Sequence, residues 1–383
     1  MKNPIYFSIL VLLISSQLFS QYEIGHTTIT FEDTARGNRQ IETELYYPAN
    51  TAGDNVAIAA GSFPYIIFGH GFVMSWDTYG NFVDTLIPKG YIIAFPSTEG
   101  SMSPSHEEFG LDLRFLVNEV YGLNSDNLSL FYGAINTECA IMGHSMGGGS
   151  AFLAAQNNTD ITTLITFAAA NTTPSSITAA QDVTIPVLVF SGEEDGVAPP
   201  ADHQVPMYDS LASNCKTFIS IIGGGHCNFA NYNVNCSFGE LTTGGSGSIT
   251  REELHATLFS FLKPWLEYYL QNINIWDDFT DSLVQSNKIT YDLSCTQTGL
   301  TEFSNNEKNL IYPNPANNNF QLNLNNNEQY TLIIFNIDGQ NLYSKEIYSN
   351  QKIDISHLKN GIYIVKIFND NEEYYSKKLT ILH

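Results

Sequence analysis

Short, almost uninterrupted apolar runs recur along the first three quarters of the chain, each followed by a polar or glycine-rich break. Pro64-Tyr65-Ile66-Ile67-Phe68, Tyr91-Ile92-Ile93-Ala94-Phe95, Ala140-Ile141-Met142, Leu164-Ile165-Thr166-Phe167, Val187-Leu188-Val189-Phe190 and Phe218-Ile219-Ser220-Ile221 are of this kind. Runs without polar alternation predict strands covered on both faces, as in a parallel sheet. Helical patterns over Glu107–Val120, Gly149–Gln156, Tyr208–Ala212 and Arg251–Leu270 fill intervals between them, the last closing the domain. Strand–helix alternation of this length predicts an α/β domain with a doubly wound, mostly parallel sheet.

The pattern changes at both ends. From Cys295 to Asn309 it dissolves into Thr, Gln, Gly, Ser and Asn, which predicts a linker, set at residues 297–308. Beyond it, Phe320–Leu324, Tyr330–Phe335 and Gly361–Ile367 are short β-type runs, separated by turn signals such as Asp338-Gly339 and Asn360-Gly361. Residues 309–383 are therefore expected to form a small all-β sandwich. At the start, Lys2, the apolar run Ile5–Ile14 and the small residues up to Ser20 have the order of a secretory signal peptide, residues 1–20. A membrane anchor is the alternative, but the run is shorter than the roughly 20 residues of a bilayer span. No other stretch is long enough to cross a bilayer, so a soluble, exported mature protein is expected, with residues 21–296 as its α/β domain.

Composition sharpens this outline. At 383 residues the chain has room for two domains, and 43% hydrophobic with 13% aromatic residues excludes wholesale disorder. The formal charge is −23, from 39 acidic and 16 basic residues. Such a surface repels phosphate backbones and anionic lipids, so no nucleic-acid partner is expected. Residues 21–300 hold 30 acids against 8 bases, whereas residues 301–383 are nearly balanced at 9 and 7, in keeping with two modules. Export permits disulfides. Of Cys139, Cys215, Cys227, Cys236 and Cys295, the pair Cys227 and Cys236 stands nine apart in a polar loop and allows a local bridge. Cys139 lies in an apolar strand as a small buried hydrophobe, and one cysteine must remain unpaired. No Cys/His spacing points to a metal, and no cofactor is called for.

The chemistry concentrates in Gly143-His144-Ser145-Met146-Gly147-Gly148-Gly149, between the strand Ala140–Met142 and a helical segment. A serine on a tight, glycine-flanked strand-to-helix turn is the setting of a nucleophile elbow. A serine hydroxyl needs an oriented base, and the partners should follow in the order acid, then histidine. Asp195 follows the strand ending at Phe190, with Glu193 and Glu194 as fallback acids, and His226 follows Gly223-Gly224-Gly225. His144 and His70 come too early to be the base. Two backbone N–H donors are needed for the oxyanion. Met146 directly after the serine is one, and Phe72 in Phe68-Gly69-His70-Gly71-Phe72 is the other, its ring walling the acyl pocket.

With these pieces the chain resembles the α/β-hydrolase superfamily over residues 22–275. Within it, the chain is similar to secreted cutinase-like and bacterial polyester hydrolases, next to dienelactone-hydrolase-type esterases. Gly71-Phe72, the Gly143–Gly149 turn, Asp195-Gly196-Val197-Ala198-Pro199 with His203-Gln204-Val205-Pro206-Met207-Tyr208, and Gly223–His226 carry the likeness. It implies Ser145, Asp195 and His226 as triad and Phe72 and Met146 as oxyanion donors. The chain departs from those enzymes at Phe167–Thr172, where Ala170 stands near the place of an aromatic clamp, and in the loop with Cys227 and Cys236. The tail resembles a type IX secretion-system C-terminal sorting domain through Tyr312-Pro313-Asn314-Pro315, Ile333–Gly339, Ile355–Tyr363 and Lys377–Ile381. It implies export through that machinery, with removal of the tail at the cell surface. The expected function is ester hydrolysis through an acyl-enzyme, on a small ester or a polyester surface, with Phe72 and Ala170 against the substrate. A peptidase or other acyl hydrolase on the same fold and a non-catalytic binding protein are the alternatives.

Overall fold

The computed structural model describes residues 22–295, 311–322, 329–336, 340–348, 351–369 and 374–383. The signal peptide expected at 1–20 and the linker expected at 297–308 lie outside them. The chain divides into two compact units, residues 1–295 and 296–383.

The first unit is built on a ten-stranded sheet. Its strands are β1 (Glu23–Asp33), β2 (Arg39–Ala49), β3 (Gly53–Asp54), β4 (Phe63–Gly69), β5 (Ile92–Pro96), β6 (Ile135–His144), β7 (Thr163–Phe167), β8 (Val187–Gly192), β9 (Cys215–Ile221) and β10 (Ile289–Cys295). They lie in the order β10-β9-β8-β7-β6-β4-β5-β2-β1-β3. Neighbours from β5 through β9 run parallel, and β2 and β10 join the two flanks antiparallel. Helices α1 (Gly80–Leu86), α2 (His106–Gly122), α3 (Met146–Ala155), α4 (Ser176–Ala180), α5 (Gln204–Ser210), α6 (Val234–Thr243), α7 (Arg251–Leu270) and α8 (Trp276–Gln285) connect them.

Two cores explain the uninterrupted apolar runs. Along β4, Tyr65 and Ile67 enter one core with Leu113 of α2 and Phe152 of α3, while Ile66 and Phe68 enter the other with Phe82 of α1 and Leu262 of α7. A strand covered on both sides has no polar face to display. Helix α7 starts where a capping box is written: Thr250 Oγ1 accepts the Glu253 N–H, and the Glu253 carboxylate accepts the Thr250 N–H.

Several elements depart from the sequence expectation. Helix α7 does not close the domain, because α8 and then β10 follow it, and β10 pairs antiparallel with β9. Cys295, where the sequence pattern dissolves, is the last residue of β10 and is bonded to Cys215 opposite it. The helix expected at Tyr208–Ala212 lies earlier, at Gln204–Ser210. Pro206 is accepted in its first turn, where backbone N–H groups have no helical partner. Helix α3 starts at Met146 rather than Gly149, its glycines being demanded by packing rather than by helix propensity. Strand β1 and the first residues of β2 alternate buried with more exposed positions, so this hairpin has no continuous apolar run at its start.

In the second unit β11 (Ile311–Tyr312), β12 (Asn319–Leu322) and β15 (Lys352–Asp354) form one antiparallel sheet, ordered β11-β12-β15. A second consists of β14 (Asn341–Tyr348), β13 (Gln329–Phe335), β16 (Gly361–Asn369) and β17 (Tyr374–Ile381), in that order. Phe320, Leu322 and Ile353 from the first sheet share one core with Leu332, Val365 and Leu379 from the second.

Candidate active site

Ser145 sits at the C-terminal end of β6, between that strand and α3, with φ 55° and ψ −120°. This is a strained backbone for any residue with a Cβ, and such strain persists only where the surroundings enforce it. The glycines on either side show what enforces it. A Cβ on Gly143 would lie 2.3 Å from the Gly147 carbonyl oxygen, and one on Gly147 would lie 2.2 Å from that of Gly69. The turn is thus clamped between its own helix and the end of β4. The Ser145 N–H donates to the Phe167 carbonyl of β7, which fixes the elbow to the next strand.

Three side chains from three strand ends meet here. Ser145 Oγ lies 2.8 Å from His226 Nε2, and His226 Nδ1 lies 2.7 Å from Asp195 Oδ2. The second oxygen of Asp195 accepts the N–H groups of Val197 and Ala198, both at 2.8 Å. With Asp195 accepting throughout, Nδ1 carries the imidazole proton and Nε2 is free to accept from the serine hydroxyl. Asp195 and His226 are buried, while Ser145 retains 8% of its surface. Glu193 and Glu194 face elsewhere: Glu193 accepts the Gly223 N–H and Glu194 accepts from the Ser248 hydroxyl.

The loop after β4 lies against the elbow, since Gly147 touches the backbone of Gly69 and His70. It brings the Phe72 segment beside the start of α3, whose first residue is Met146. The Phe72 ring is 46% exposed. On the opposite side the Ala170 N–H donates to the Ser145 carbonyl oxygen at 2.9 Å, so Ala170 adjoins the serine through its backbone and offers only a methyl group. His203 Nδ1 accepts the N–H of Asn171, tying this loop to the segment after Asp195. Gln204, buried, reinforces the tie by donating to the Ala169 and Ala198 carbonyls.

One chain of hydrogen bonds was not foreseen. The Gly71 N–H donates to Tyr79 Oη at 2.8 Å, Tyr79 Oη lies 3.0 Å from His144 Nδ1, and His144 Nε2 lies 3.0 Å from the His226 carbonyl oxygen. A carbonyl only accepts, so Nε2 carries the His144 proton and Tyr79 donates to Nδ1. Burial drives the His144 pKa well below the ordinary histidine value, and neighbouring His226 adds to the effect. His144 therefore stays neutral and links the Phe72 loop to the backbone of His226. Nothing in the sequence around Tyr79 marks it for this role.

Cys227 and Cys236 are bonded, and so are Cys215 and Cys295, a pairing the sequence did not suggest; Cys139 is free and buried. Burial pushes its thiol pKa up, consistent with an inert core residue.

A parallel sheet with a strained serine at a strand-to-helix turn, and an acid and a histidine after later strands, defines the α/β-hydrolase class. Residues 23–242, more than half of the chain, match the PET hydrolase-like family, and the chain belongs to it. Residues 310–382 match a secretion-system C-terminal sorting domain, so this protein is one sent to the exterior or the cell surface. Among its relatives, Cutinase 1 of Thermobifida cellulosilytica is 34% identical over 93 residues, covering 24% of this chain and 34% of its own length. The cutinase of Thermobifida fusca is likewise 34% identical over 93 residues, 24% of this chain and 29% of its own. The bis(hydroxyethyl) terephthalate hydrolase of Streptomyces coelicolor is 25% identical over 171 residues, 44% of this chain and 50% of its own. The chain thus spans about a third of the length of the cutinases it matches.

Proposed function

We propose that the protein is a secreted serine hydrolase that cleaves carboxylic esters through an acyl-enzyme, acting on polyesters as well as small esters. The observation that carries this reading is the unbroken Ser145–His226–Asp195 hydrogen-bonded chain at a strained elbow. His226 takes the hydroxyl proton as Ser145 Oγ attacks the acyl carbon, and it then gives that proton to the departing alcohol. Asp195 holds the imidazole in the required tautomer and stabilises the imidazolium. The Met146 and Phe72 N–H groups receive the oxyanion, assisted by the N-terminus of α3. Water activated by His226 then attacks the acyl-enzyme and releases the acid. Phe72 and Ala170 flank the acyl group. Residues 1–20 serve as a signal peptide, residues 297–308 as a linker, and residues 309–383 engage a type IX secretion machinery.

The test is hydrolysis of a p-nitrophenyl ester series, short to long, by the full chain and its Ser145→Ala variant. The intact protein should turn over these esters, and the variant should lose about 10⁴-fold or more in kcat. Activity that survives the substitution, or an intact protein that cleaves peptides and no esters, overturns the reading.

A further inference from the structure

Helix α6 follows the histidine loop directly and carries an apolar face that nothing in its own unit covers. Val234, Phe238 and Leu241, at helical spacing i, i+4 and i+7, are 65%, 67% and 79% exposed, and Tyr232 just before the helix is 70% exposed. Isolated exposed apolar residues need no explanation, whereas a grouped set marks a contact surface.

The helix is pinned from its inner side. Cys236 is bonded to Cys227, the residue next to His226. Asn233 caps the helix, its side chain accepting the N–H groups of Asn235 and Cys236. Glu240 is buried and accepts the Cys227 N–H at 2.8 Å. Asn235 Nδ2 donates to the Val73 carbonyl oxygen at 3.1 Å, which joins the helix to the loop bearing Phe72, itself 46% exposed. The helix is therefore fastened both to the histidine loop and to the loop bearing Phe72, and its exposed apolar residues take no part in those bonds.

Its chemistry excludes a charged partner. Between Cys227 and Thr250 the only ionisable side chain other than disulfide-bonded cysteines and Tyr232 is Glu240, and it is turned inward; the chain as a whole carries a charge of −23. A neutral apolar apron in so acidic a protein suits an uncharged, hydrophobic ligand. From Val234 to Leu241 the helix rises about 10 Å, longer than one short acyl group. At Ala170, on the other side of the serine, the protein offers only a methyl group, which leaves the apolar grip to Phe72 and α6. We infer that the Val234–Phe238–Leu241 face, with Tyr232 and Phe72, is the docking surface for the apolar chain of a polymeric ester, laid across the histidine loop towards Ser145. This rests on the ester-hydrolase reading above, but adsorption to the polymer requires no catalysis and can be measured separately.

The experiment compares the full chain carrying Ser145→Ala with the same chain further altered by Val234→Ser, Phe238→Ser and Leu241→Ser. Binding of each to amorphous poly(ethylene terephthalate) film is measured, with cellulose film as the hydrophilic control. The parent should bind the polyester over cellulose, and the triple variant should bind about tenfold less. With Ser145 restored, the triple variant should release less product from film while keeping p-nitrophenyl acetate kcat/KM within about twofold. If the triple variant does not fold, Phe238→Ser alone takes its place, with an expected loss of about threefold. Equal film binding by parent and variant, a parent that does not prefer polyester, or a parent dimer that the substitutions dissociate overturns the inference. Loss of soluble-ester turnover in the unaltered chain would instead sink the ester-hydrolase reading.

Discussion

Tyr79 shows how much one hydroxyl can organise. It takes the N–H of Gly71 next to the proposed oxyanion donor, and it gives its own proton to His144, which holds the carbonyl of His226. The loop proposed to hold the oxyanion and the proposed base are thereby set relative to one another through buried groups. Replacing Tyr79 with Phe removes the link and leaves a buried N–H and a buried ring nitrogen unsatisfied. Tyr79→Phe should lower kcat about tenfold with KM nearly unchanged, because the misplacement is felt where charge develops rather than in substrate binding. A raised KM with kcat preserved would show that Tyr79 acts on binding instead. The residue could not be found by motif: the serine, the acid and the base each announce themselves by glycine-rich strand ends, whereas Tyr79 and His144 stand 65 positions apart and meet only in the fold.

At the level of elements, the parts that could be read from sequence are those whose local pattern has a single physical cause. Strands β4, β5, β7 and β8 and the second half of β6 are nearly continuous apolar runs because both faces are buried, and α7 begins at a capping box and ends after a long periodic run. The same logic failed for β10, whose burial alternates around Ile289, Leu293 and Cys295 with polar residues between them, in the manner of a half-exposed edge strand. It failed again for the Cys215–Cys295 bond, since pairing between residues 80 apart depends on the register of β9 and β10. That bond should be worth about 4.5 kcal/mol from the closure of so long a loop. Replacing both cysteines with Ser should lower the denaturant midpoint accordingly while leaving the kinetics of ester cleavage unchanged, since neither residue adjoins the triad. Unchanged stability would mean that β10 is held by its hydrogen bonds alone.

Across the whole molecule, the two units have separate cores. Among the described residues, none of the second unit's core belongs to either core of the first, and the uneven charge follows the same division. Units with their own cores can fold alone. A chain ending at Cys295 should therefore melt within a few degrees of the hydrolase transition in the full protein and keep its soluble-ester kcat/KM within about twofold. A large fall in either would show that the tail supports the catalytic unit rather than addressing it for export.

The position of the Cys215–Cys295 bond has a mechanical consequence. Cys295 is the last residue of the first unit, and it is fastened to the adjacent strand rather than left as a free end. Tension applied through the tail, as a translocating machine would apply it, arrives at a covalent clasp before it reaches any hydrogen bond of the sheet. β10 therefore cannot be peeled away from its final residue, and proteolytic trimming that advances from the tail meets the same stop. A unit closed in this way can be hauled by its tail without fraying.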